Sequence, residues 1–276
     1  MRNLTILEWN IHQQGRISKV IPMNILNYLI DIDIIVLLEI NTKSINFSEF
    51  CNSLYLYGYS VYMTCYEECD YANDILIAVN STRNIFVKKV SYYTAYNNSL
   101  KTDDIPENLL LDIEIDNKSY MIAGVRIKEL KSKYSMRKKQ METLIEWTKD
   151  IKVPIFLVGD FNNLRENTTE KDWNINVLDS IKGQFIRKTP TKNHSWGVSY
   201  YPYEGKYDGY IKEDHLLISS NIKENEKIEV NYNWEYLKNN IGNCKLKDKN
   251  VWNQQKIEIP IGFPDHAIFT AKIPLS

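Results

Sequence analysis

Residues 156–163 read FLVGDFNN, so that an apolar run passes directly into acidic and amide side chains. The run from Phe156 to Gly159 is typical of a strand that is buried on both faces of a sheet. Asp160 and Asn162 follow at its end, and both residue types are common in turns. Taken alone, the segment is a strand followed by a turn. Whether Asp160 and Asn162 belong to a functional site depends on whether other predicted strands also end in polar residues.

Strand-like and helix-like patterns alternate along the whole chain, which predicts one α/β domain over residues 1–276. Strand patterns dominate and several are neighbours at hairpin spacing. This favours two packed β-sheets with helices outside them over a single doubly wound parallel sheet. The predicted strands cover 4–11, 34–38, 59–64, 75–79, 85–91, 109–115, 120–127, 154–158, 215–219, 227–232 and 267–273, and the predicted helices cover 18–29, 47–55 and 135–149.

The composition narrows the class of protein. Hydrophobic residues make up 43% of the 276 residues and charged residues 25%, which is the balance of a folded globular protein rather than of a disordered chain. The formal net charge of −1 provides no overall field that would hold the molecule on nucleic acid. The four cysteines form no CxxC pair, which argues against a structural zinc site.

The sequence contains no apolar run long enough to span a bilayer, and its first residues have no signal-peptide pattern. Together with the cysteine usage, this predicts free thiols in a reducing compartment, the cytoplasm. We therefore expect a cytoplasmic protein with no membrane anchor, and we expect a monomer.

Five predicted strands carry polar side chains at or near one end. Each of these side chains has a structural explanation, because Asp and Asn cap helices and start turns. If they converged at one rim, however, the carboxylates would repel each other, and a divalent cation such as Mg²⁺ or Mn²⁺ would remove that conflict. The residues are Asn10 with His12, Glu39, Asp160 with Asn162, Asp214 with His215, and Asp265 with His266.

The two Asp-His pairs indicate a proton-transfer group. A catalytic histidine needs an acidic partner on one ring nitrogen to hold its tautomer. Its sequence neighbour is a poor partner in an extended segment, since successive side chains point to opposite faces. We therefore expect Asp214 to orient His266, Asp265 to point toward the metal, and His215 to be structural.

These residues, in this order, resemble those of the endonuclease/exonuclease/phosphatase superfamily, which includes pancreatic-type deoxyribonucleases, abasic-site endonucleases, neutral sphingomyelinases and deadenylases. The match covers nearly the whole chain, and GDFN at 159–162 is its most specific element. The other motifs that carry it are LEWNIH with Asn10, IVLLEI with Glu39, EDHLLIS with Asp214, and PDHAIFTAKI with Asp265 and His266.

The resemblance implies a four-layer α/β sandwich, with two mixed β-sheets flanked by helices and an active site at one edge. It also implies a Mg²⁺-dependent (or Mn²⁺-dependent) hydrolase of phosphoester bonds, foremost a nuclease acting on DNA or RNA. The alternatives are a phosphatase or phospholipid phosphodiesterase of the same fold, and a catalytically degenerate binding protein. The implied catalytic residues are Asp160, Asn162, His266 and Asp214, and the implied metal ligands are Glu39, Asn10 and Asp265. We further expect Asn162, His12 and Arg126 to bind the substrate phosphate.

The chain departs from the family pattern at Arg126, where many members have a histidine, whereas Arg137 matches the family's helix arginine. A guanidinium cannot act as an acid at neutral pH, but it can clamp a phosphate through two hydrogen bonds. We therefore predict that Arg126 binds the substrate phosphate. The alternative is a salt bridge, with Glu67 or Glu68 as candidate partners.

Two further segments bear on the substrate. Seven basic residues and one acid lie between positions 126 and 139, and a tyrosine-rich, lysine-containing stretch covers 194–214. Both are compatible with contact to a nucleic-acid backbone and its bases. A charge run of this kind is also compatible with an ordinary solvated face, and aromatic side chains can equally pack on the scaffold.

Overall fold

A computed structural model of the chain describes residues 2–13, 18–64, 73–93, 104–128, 134–162, 184–191, 212–220, 222, 225–240, 246–249, 254–257 and 263–275. The strands are β1 (Arg2–Asn10), β2 (Ile34–Ile40), β3 (Tyr59–Met63), β4 (Asp74–Asn80), β5 (Ile85–Ser91), β6 (Glu107–Ile115), β7 (Lys118–Arg126), β8 (Ile155–Asp160), β9 (Phe185–Lys188), β10 (Asp214–Ser219), β11 (Glu229–Asn233), β12 (Leu246–Lys249), β13 (Gln254–Ile257) and β14 (Ile268–Leu275). The α-helices are α1 (Phe47–Leu56), α2 (Tyr134–Thr148) and α3 (Glu235–Asn240), and short 3-10 helices cover Met23–Tyr28, Ser81–Arg83 and Asn225–Lys227.

The strands form two six-stranded sheets and a separate hairpin of β12 and β13. The order in the first sheet is β11-β14-β1-β2-β4-β3, and in the second it is β5-β6-β7-β8-β10-β9. The pairs β1/β2 and β7/β8 are parallel, and the other pairs within these two sheets are antiparallel. Both sheets are therefore mixed, as predicted.

The two sheets pack face to face around the larger of two hydrophobic clusters. They approach closely at Gly124 of β7, where a Cβ atom would lie 2.8 Å from Val36 Cγ1 of the first sheet. A smaller cluster lies on the other face of the second sheet, where Met141 and Leu144 of α2 pack on Leu157 and its neighbours. Burying each such side chain contributes roughly 1.5–3 kcal/mol.

Helix α1 flanks the first sheet, with Phe50 and Leu54 buried in the core, and α2 flanks the second. The layers are helix, sheet, sheet and helix, which confirms the predicted four-layer sandwich. One domain over residues 1–276 stays a prediction. None of the helices that the structure describes is long and apolar enough to cross a membrane.

The predicted strands all occur, with their ends displaced by at most two residues, and β9, β12 and β13 were not predicted. The predicted helix at 18–29 is a 3-10 helix confined to Met23–Tyr28. Pro22 precedes it in an extended conformation, with φ −64° and ψ 109°, and provides no side-chain capping bond. An α-helix beginning at Ser18 was therefore the wrong prediction, because the apolar spacing alone does not distinguish a short 3-10 turn from an α-helix.

Candidate active site

Strand direction brings the polar strand ends to one edge of the sandwich. The parallel pairs β1/β2 and β7/β8 end at the same edge of their sheets. Strand β10 runs antiparallel to β8, so that Asp214 at its start lies opposite Asp160 at the end of β8. Strand β14 runs antiparallel to β1, so the chain just before it, with Asp265 and His266, reaches the end of β1.

Asn10 joins the two sheets at this edge. Its side-chain nitrogen Nδ2 donates hydrogen bonds to Glu39 Oε1 and to Asp160 Oδ2, both at 3.1 Å. Its side-chain oxygen Oδ1 accepts a hydrogen bond from the backbone N–H of His12 at 3.0 Å. Asn10 therefore turns the donor end of its amide toward the two carboxylates.

A backbone irregularity directs Glu39 into the site. The register of β2 against β4 shifts between Leu37 and Ile40, which is the signature of a β-bulge. Within it Glu39 has a φ of 53°, and His12 and Asn162 have φ values of 56° and 45°. Left-handed conformations cost free energy in residues other than glycine and are concentrated at functional sites.

Arg126 lies between acidic residues of both sheets. Its Nη2 atom is 2.6 Å from Glu39 Oε1, its Nη1 atom is 3.1 Å from Glu107 Oε2, and its Nε atom is 4.0 Å from Asp160 Oδ2. Glu67 and Glu68, the salt-bridge partners suggested from the sequence, lie outside the described residues. The observed partners are Glu39 and Glu107, and phosphate binding by Arg126 stays a prediction.

The two glutamates share Arg126 unequally. Burial opposes ionisation of Glu39, but the Arg126 guanidinium and the Asn10 hydrogen bond outweigh it, so that the pKa of Glu39 lies below its usual value. Burial also opposes ionisation of Glu107, and there it outweighs Arg126, so that the pKa of Glu107 is raised. Arg126 is thus foremost the counter-ion of Glu39.

The GDFN turn holds Asp160 in place. The backbone N–H of Asn162 donates to Asp160 Oδ1 at 2.8 Å, and Asn162 Nδ2 donates to Asp160 Oδ2 at 3.1 Å and to the Ile127 carbonyl at 2.7 Å. Buried Arg137 of α2 fixes the turn from outside, since its Nη1 donates to the Asn162 carbonyl at 2.8 Å. Gly159 is needed for packing, because a Cβ there would lie 1.8 Å from the Val125 carbonyl oxygen.

The environment of Asp160 favours its protonated form. Burial raises the pKa of Asp160; neighbouring His266 opposes this effect and Asp214 reinforces it, and the result is a pKa of about 7. A carboxyl group with such a pKa changes protonation near neutral pH, which is the range in which a general base is most effective.

His266 and Asp214 form a buried pair, with His266 Nδ1 2.8 Å from Asp214 Oδ2. Two aromatic side chains fix the backbone of this pair, since Trp9 Nε1 donates to the His266 carbonyl at 3.0 Å and Tyr232 donates to the Asp214 carbonyl at 2.6 Å. Burial lowers the pKa of His266, but Asp214, Asp160 and Asp265 outweigh it and hold that pKa well above its usual value. The contact expected from the sequence is present, and its catalytic role stays a prediction.

His215 lies apart from this cluster. It is buried on β10, its Nδ1 is 2.8 Å from Thr189 Oγ1, and burial lowers its pKa. The alternation of side chains along β10 separates it from Asp214. Its surroundings are compatible with the structural role expected from the sequence.

The ligand atoms that could share a cation belong to Asp160, Asp214 and His266, which lie within 4.8 Å of one another. Among the described residues, Glu39 and Asp265 are not part of this group. Glu39 is engaged by Arg126, and Asp265 Oδ2 lies 3.6 Å from His12 Nε2. Metal binding by Glu39, Asn10 and Asp265 therefore stays a prediction, as does phosphate binding by His12.

Sequence reasoning missed Glu8, which lies two residues before Asn10 on β1 and so points to the same face. It is fully buried, and neither of its carboxyl oxygens has a hydrogen-bond partner in the described part of the chain. Burial raises its pKa well above the usual value; Asp214 and Asp160 add to this effect and His266 opposes it. A glutamate inside the apolar strand LTILEWN was the signal that could have revealed it.

The buried carboxylates at this edge repel one another, and a divalent cation would neutralise that repulsion. Asp160 and Asp214 offer buried oxygen atoms within 4.8 Å of one another, and Glu8 adds a third acidic group whose pKa, like that of Asp160, is raised by burial and by the acidic neighbours. Hard oxygen ligands of this kind suit Mg²⁺ or Mn²⁺. A cation near Asp160 would therefore offset the repulsion between Asp160 and the neighbouring acidic groups.

We predict that Glu8→Gln stabilises the cation-free protein at alkaline pH by roughly 1–3 kcal/mol, because it removes a buried carboxylate without hydrogen-bond partners. A raised folded-state pKa means that the folded chain binds more protons than the unfolded chain. The stability contributed by protonated Glu8 is therefore lost as pH rises. Urea unfolding in chelator at pH 5 and pH 8 checks this, and the gain of the variant over the wild type should be larger at pH 8.

The matched control for this prediction is Glu229→Gln, which removes a carboxylate from an exposed position of β11. Its stability should follow that of the wild type at both pH values. If Glu8→Gln destabilises the protein at pH 8, the Glu8 carboxylate has a stabilising partner, and it is not a source of uncompensated charge.

No family model matches the chain, and no curated protein does. Solved structures do match it along its whole length. TDP2 from D. rerio, in complex with a single-strand DNA product, has a TM-score of 0.64 at 11% identity, with 100% of both chains covered. The catalytic domain of human Nocturnin, with a bound sulfate anion, has a TM-score of 0.58 at 15% identity, covering 99% of this chain and 94% of that one.

An endonuclease/exonuclease/phosphatase from Bacteroides vulgatus has a TM-score of 0.60 at 13% identity, with 100% of both chains covered. At identities this low, structural likeness is a statement about the fold. It agrees with the two mixed six-stranded sheets, so that the resemblance predicted from the sequence is confirmed at the level of the fold. The chain has the fold of the endonuclease/exonuclease/phosphatase superfamily.

Proposed function

We propose that the protein is a metal-dependent phosphodiesterase that cleaves phosphodiester bonds of nucleic acid with Mg²⁺ or Mn²⁺. The observation that carries this proposal is the buried cluster of Asp160, Asp214 and His266 at the sheet edge. It combines a carboxyl group that titrates near neutral pH with an imidazole held by a carboxylate. Phosphoester hydrolysis can use these two kinds of group as general base and general acid.

The cation would be held by Glu39 together with neighbouring carboxylate oxygens of this edge, and it would supply positive charge that stabilises the phosphate and the leaving oxygen. Asp160 would orient a water molecule and accept its proton. Asn162 keeps the Asp160 carboxylate in one orientation through two hydrogen bonds, so that little reorganisation is required during the reaction.

His266 would act on the phosphate through Nε2, because Nδ1 is engaged by Asp214. In its protonated form, which Asp214 favours, the imidazole donates a hydrogen bond to a phosphate oxygen and can pass a proton to the leaving group. Asp214 has the orienting role that a carboxylate has beside a catalytic histidine.

Nucleic acid is the proposed substrate class for two reasons. Lys138 and Lys139 are exposed on α2, the helix that begins near the end of β7, and basic side chains there would contact a phosphate backbone. A structural neighbour, TDP2, was solved with single-strand DNA. The tyrosine-rich stretch 194–214 lies almost entirely outside the described residues, and its role as a substrate loop stays a prediction, as do the cytoplasmic location and the monomeric state.

The test is hydrolysis by the purified chain with Mg²⁺ or Mn²⁺. The substrates are single-stranded DNA, duplex DNA, RNA, an inositol phosphate and a phospholipid. We expect cleavage of nucleic acid that is lost on chelation and restored by the cation. Faster turnover of the inositol phosphate or the phospholipid would contradict the nuclease assignment, and activity that survives chelation would contradict the role of the metal.

A further inference from the structure

Glu39 already has a positive charge beside it in this chain. Arg126 Nη2 lies 2.6 Å from Glu39 Oε1, and the two side chains are 13% and 9% exposed. Charges that are this close and this shielded from water interact far more strongly than a pair on the surface. The guanidinium therefore lies on the side of the Glu39 carboxylate that faces Asn10 and Asp160, where a cation shared by Glu39 and Asp160 would also lie.

The side-chain amide of Asn10 also presents a donor to Glu39. Asn10 directs Nδ2, its donor, at the same Oε1 atom of Glu39, while the backbone of His12 takes up its oxygen. A residue that coordinated a cation next to Glu39 would present an oxygen there. Arg126 and Asn10 therefore both present donors to Glu39 Oε1, and a cation on that oxygen would have to displace them.

We propose that Arg126 competes with the divalent cation for Glu39, and thereby sets the cation affinity of the site. This inference rests on the proposed function, because it concerns the cation that hydrolysis would require. A cation that binds Glu39 must either displace the guanidinium or bind next to its charge, and both weaken binding. Glu107 would retain Arg126 at the sheet edge, since it is the second partner of the guanidinium at 3.1 Å.

The experiment is calorimetric titration of the whole chain with Mn²⁺ in the absence of substrate. Arg126→Gln removes the guanidinium charge, and we expect it to bind Mn²⁺ at least about tenfold more tightly than the wild type. Arg126→Lys keeps the charge, so its affinity should stay close to that of the wild type. The shift of the melting temperature with Mn²⁺ gives a second readout.

Two further variants make the test specific. Arg126→Gln leaves Glu107 buried without its cation, so the same variant combined with Glu107→Gln is measured as well, and it should retain both the fold and the gain in affinity. Lys88→Gln is the matched control, because it removes one positive charge from an exposed Lys88–Glu114 pair of the same sheet. It should leave the Mn²⁺ affinity unchanged.

A double-mutant cycle with Glu39→Gln locates the competition. If Arg126 acts through Glu39, Arg126→Gln gains no affinity when residue 39 is glutamine. An equal gain in that background overturns the proposal, because it shows a general effect of charge. Unchanged affinity in Arg126→Gln also overturns it.

These outcomes are distinguishable from failure of the proposed function. If Arg126→Gln binds Mn²⁺ more tightly but neither it nor the wild type cleaves any substrate, the competition holds and the phosphodiesterase assignment fails. If the wild type cleaves nucleic acid and its Mn²⁺ affinity does not respond to residue 126, the assignment holds and the competition fails. Absence of Mn²⁺ binding in every variant overturns both.

Discussion

Asp160→Asn is expected to lower the rate of phosphodiester hydrolysis by roughly 10²–10⁴-fold, because it removes the group that would accept the proton of water. Asparagine has nearly the same shape, and its one acceptor oxygen can keep the contacts with the side chains of Asn10 and Asn162, while only the bond from the Asn162 backbone N–H is lost. The turn should therefore remain folded, and the loss should appear in kcat rather than in expression or solubility. Steady-state kinetics with Mg²⁺ and a nucleic-acid substrate measures it.

The same substitution makes a second, independent prediction about stability. Asp160 has a pKa of about 7 in the folded protein, whereas an unfolded aspartate titrates near 3.9. The folded chain therefore binds more protons between these values, and the stability due to protonated Asp160 is lost as pH rises through that window. Asp160→Asn cannot ionise, so in chelator it should become more stable relative to the wild type as pH rises from about 4 to about 7.

A buried aspartate at the other end of the sandwich serves as the control. Asp33 Oδ2 accepts hydrogen bonds from the backbone N–H and the hydroxyl of Thr5 at 2.7 and 2.8 Å, at the start of the parallel pair rather than at its end. Asp33→Asn should lower stability while leaving kcat per folded molecule unchanged. A kcat for Asp160→Asn within tenfold of the wild type would remove Asp160 from the catalytic set.

Replacing either member of the His266–Asp214 pair is expected to cost about as much activity as replacing both. His266→Gln removes the imidazole, and Asp214→Asn removes the carboxylate that holds its tautomer, so each should lower kcat by roughly 10²–10⁴-fold. Residues that act as one unit have non-additive effects. The double variant should therefore resemble the single variants rather than show the product of their losses.

His215→Gln is the matched control for this pair, because His215 is also a fully buried histidine of the same region but contacts Thr189. It should lower the free energy of unfolding and leave kcat per folded molecule unchanged. Multiplicative losses in the double variant, or a loss of activity in His215→Gln as large as that in His266→Gln, would contradict the assignment of the pair.

Several features of the fold follow from local sequence patterns. The apolar runs at 34–38 and 154–158 become β2 and β8, because a strand buried on both faces needs apolar side chains at every position. The apolar spacing at 135–149 becomes α2, because a helix that packs on a sheet needs an apolar stripe along one side. The same kind of spacing at 18–29 led to an error, since Pro22 restricts the backbone there.

The sites differ in how far the sequence reveals them. Strand alternation argues against Asp265 as the partner of His266, because side chains of adjacent residues on a strand point to opposite faces, and the structure contains the contact with Asp214 that was expected instead. Glu107 lies directly opposite Arg126 in the β6/β7 pair, but Glu39 belongs to the other sheet, and only the packing of the two sheets brings it to the guanidinium. The apolar strand around Glu8 is a local signal of its burial, but the acidic neighbours of Glu8 come from strands that lie far away in the sequence.

The sequence alone revealed the strand-end residues, their order and the fold that they indicate. Each strand-end motif could be recognised because it consists of residues that are neighbours in the chain. FLVGDFNN is the clearest case, since its apolar half specifies β8 and its polar half the Asp160 turn. The electrostatic state of the site was not readable in this way. It depends on which charges the two sheets bring within a few ångströms in a dry interior, and there Arg126 and Glu8 change the charge balance around Glu39 and Asp160.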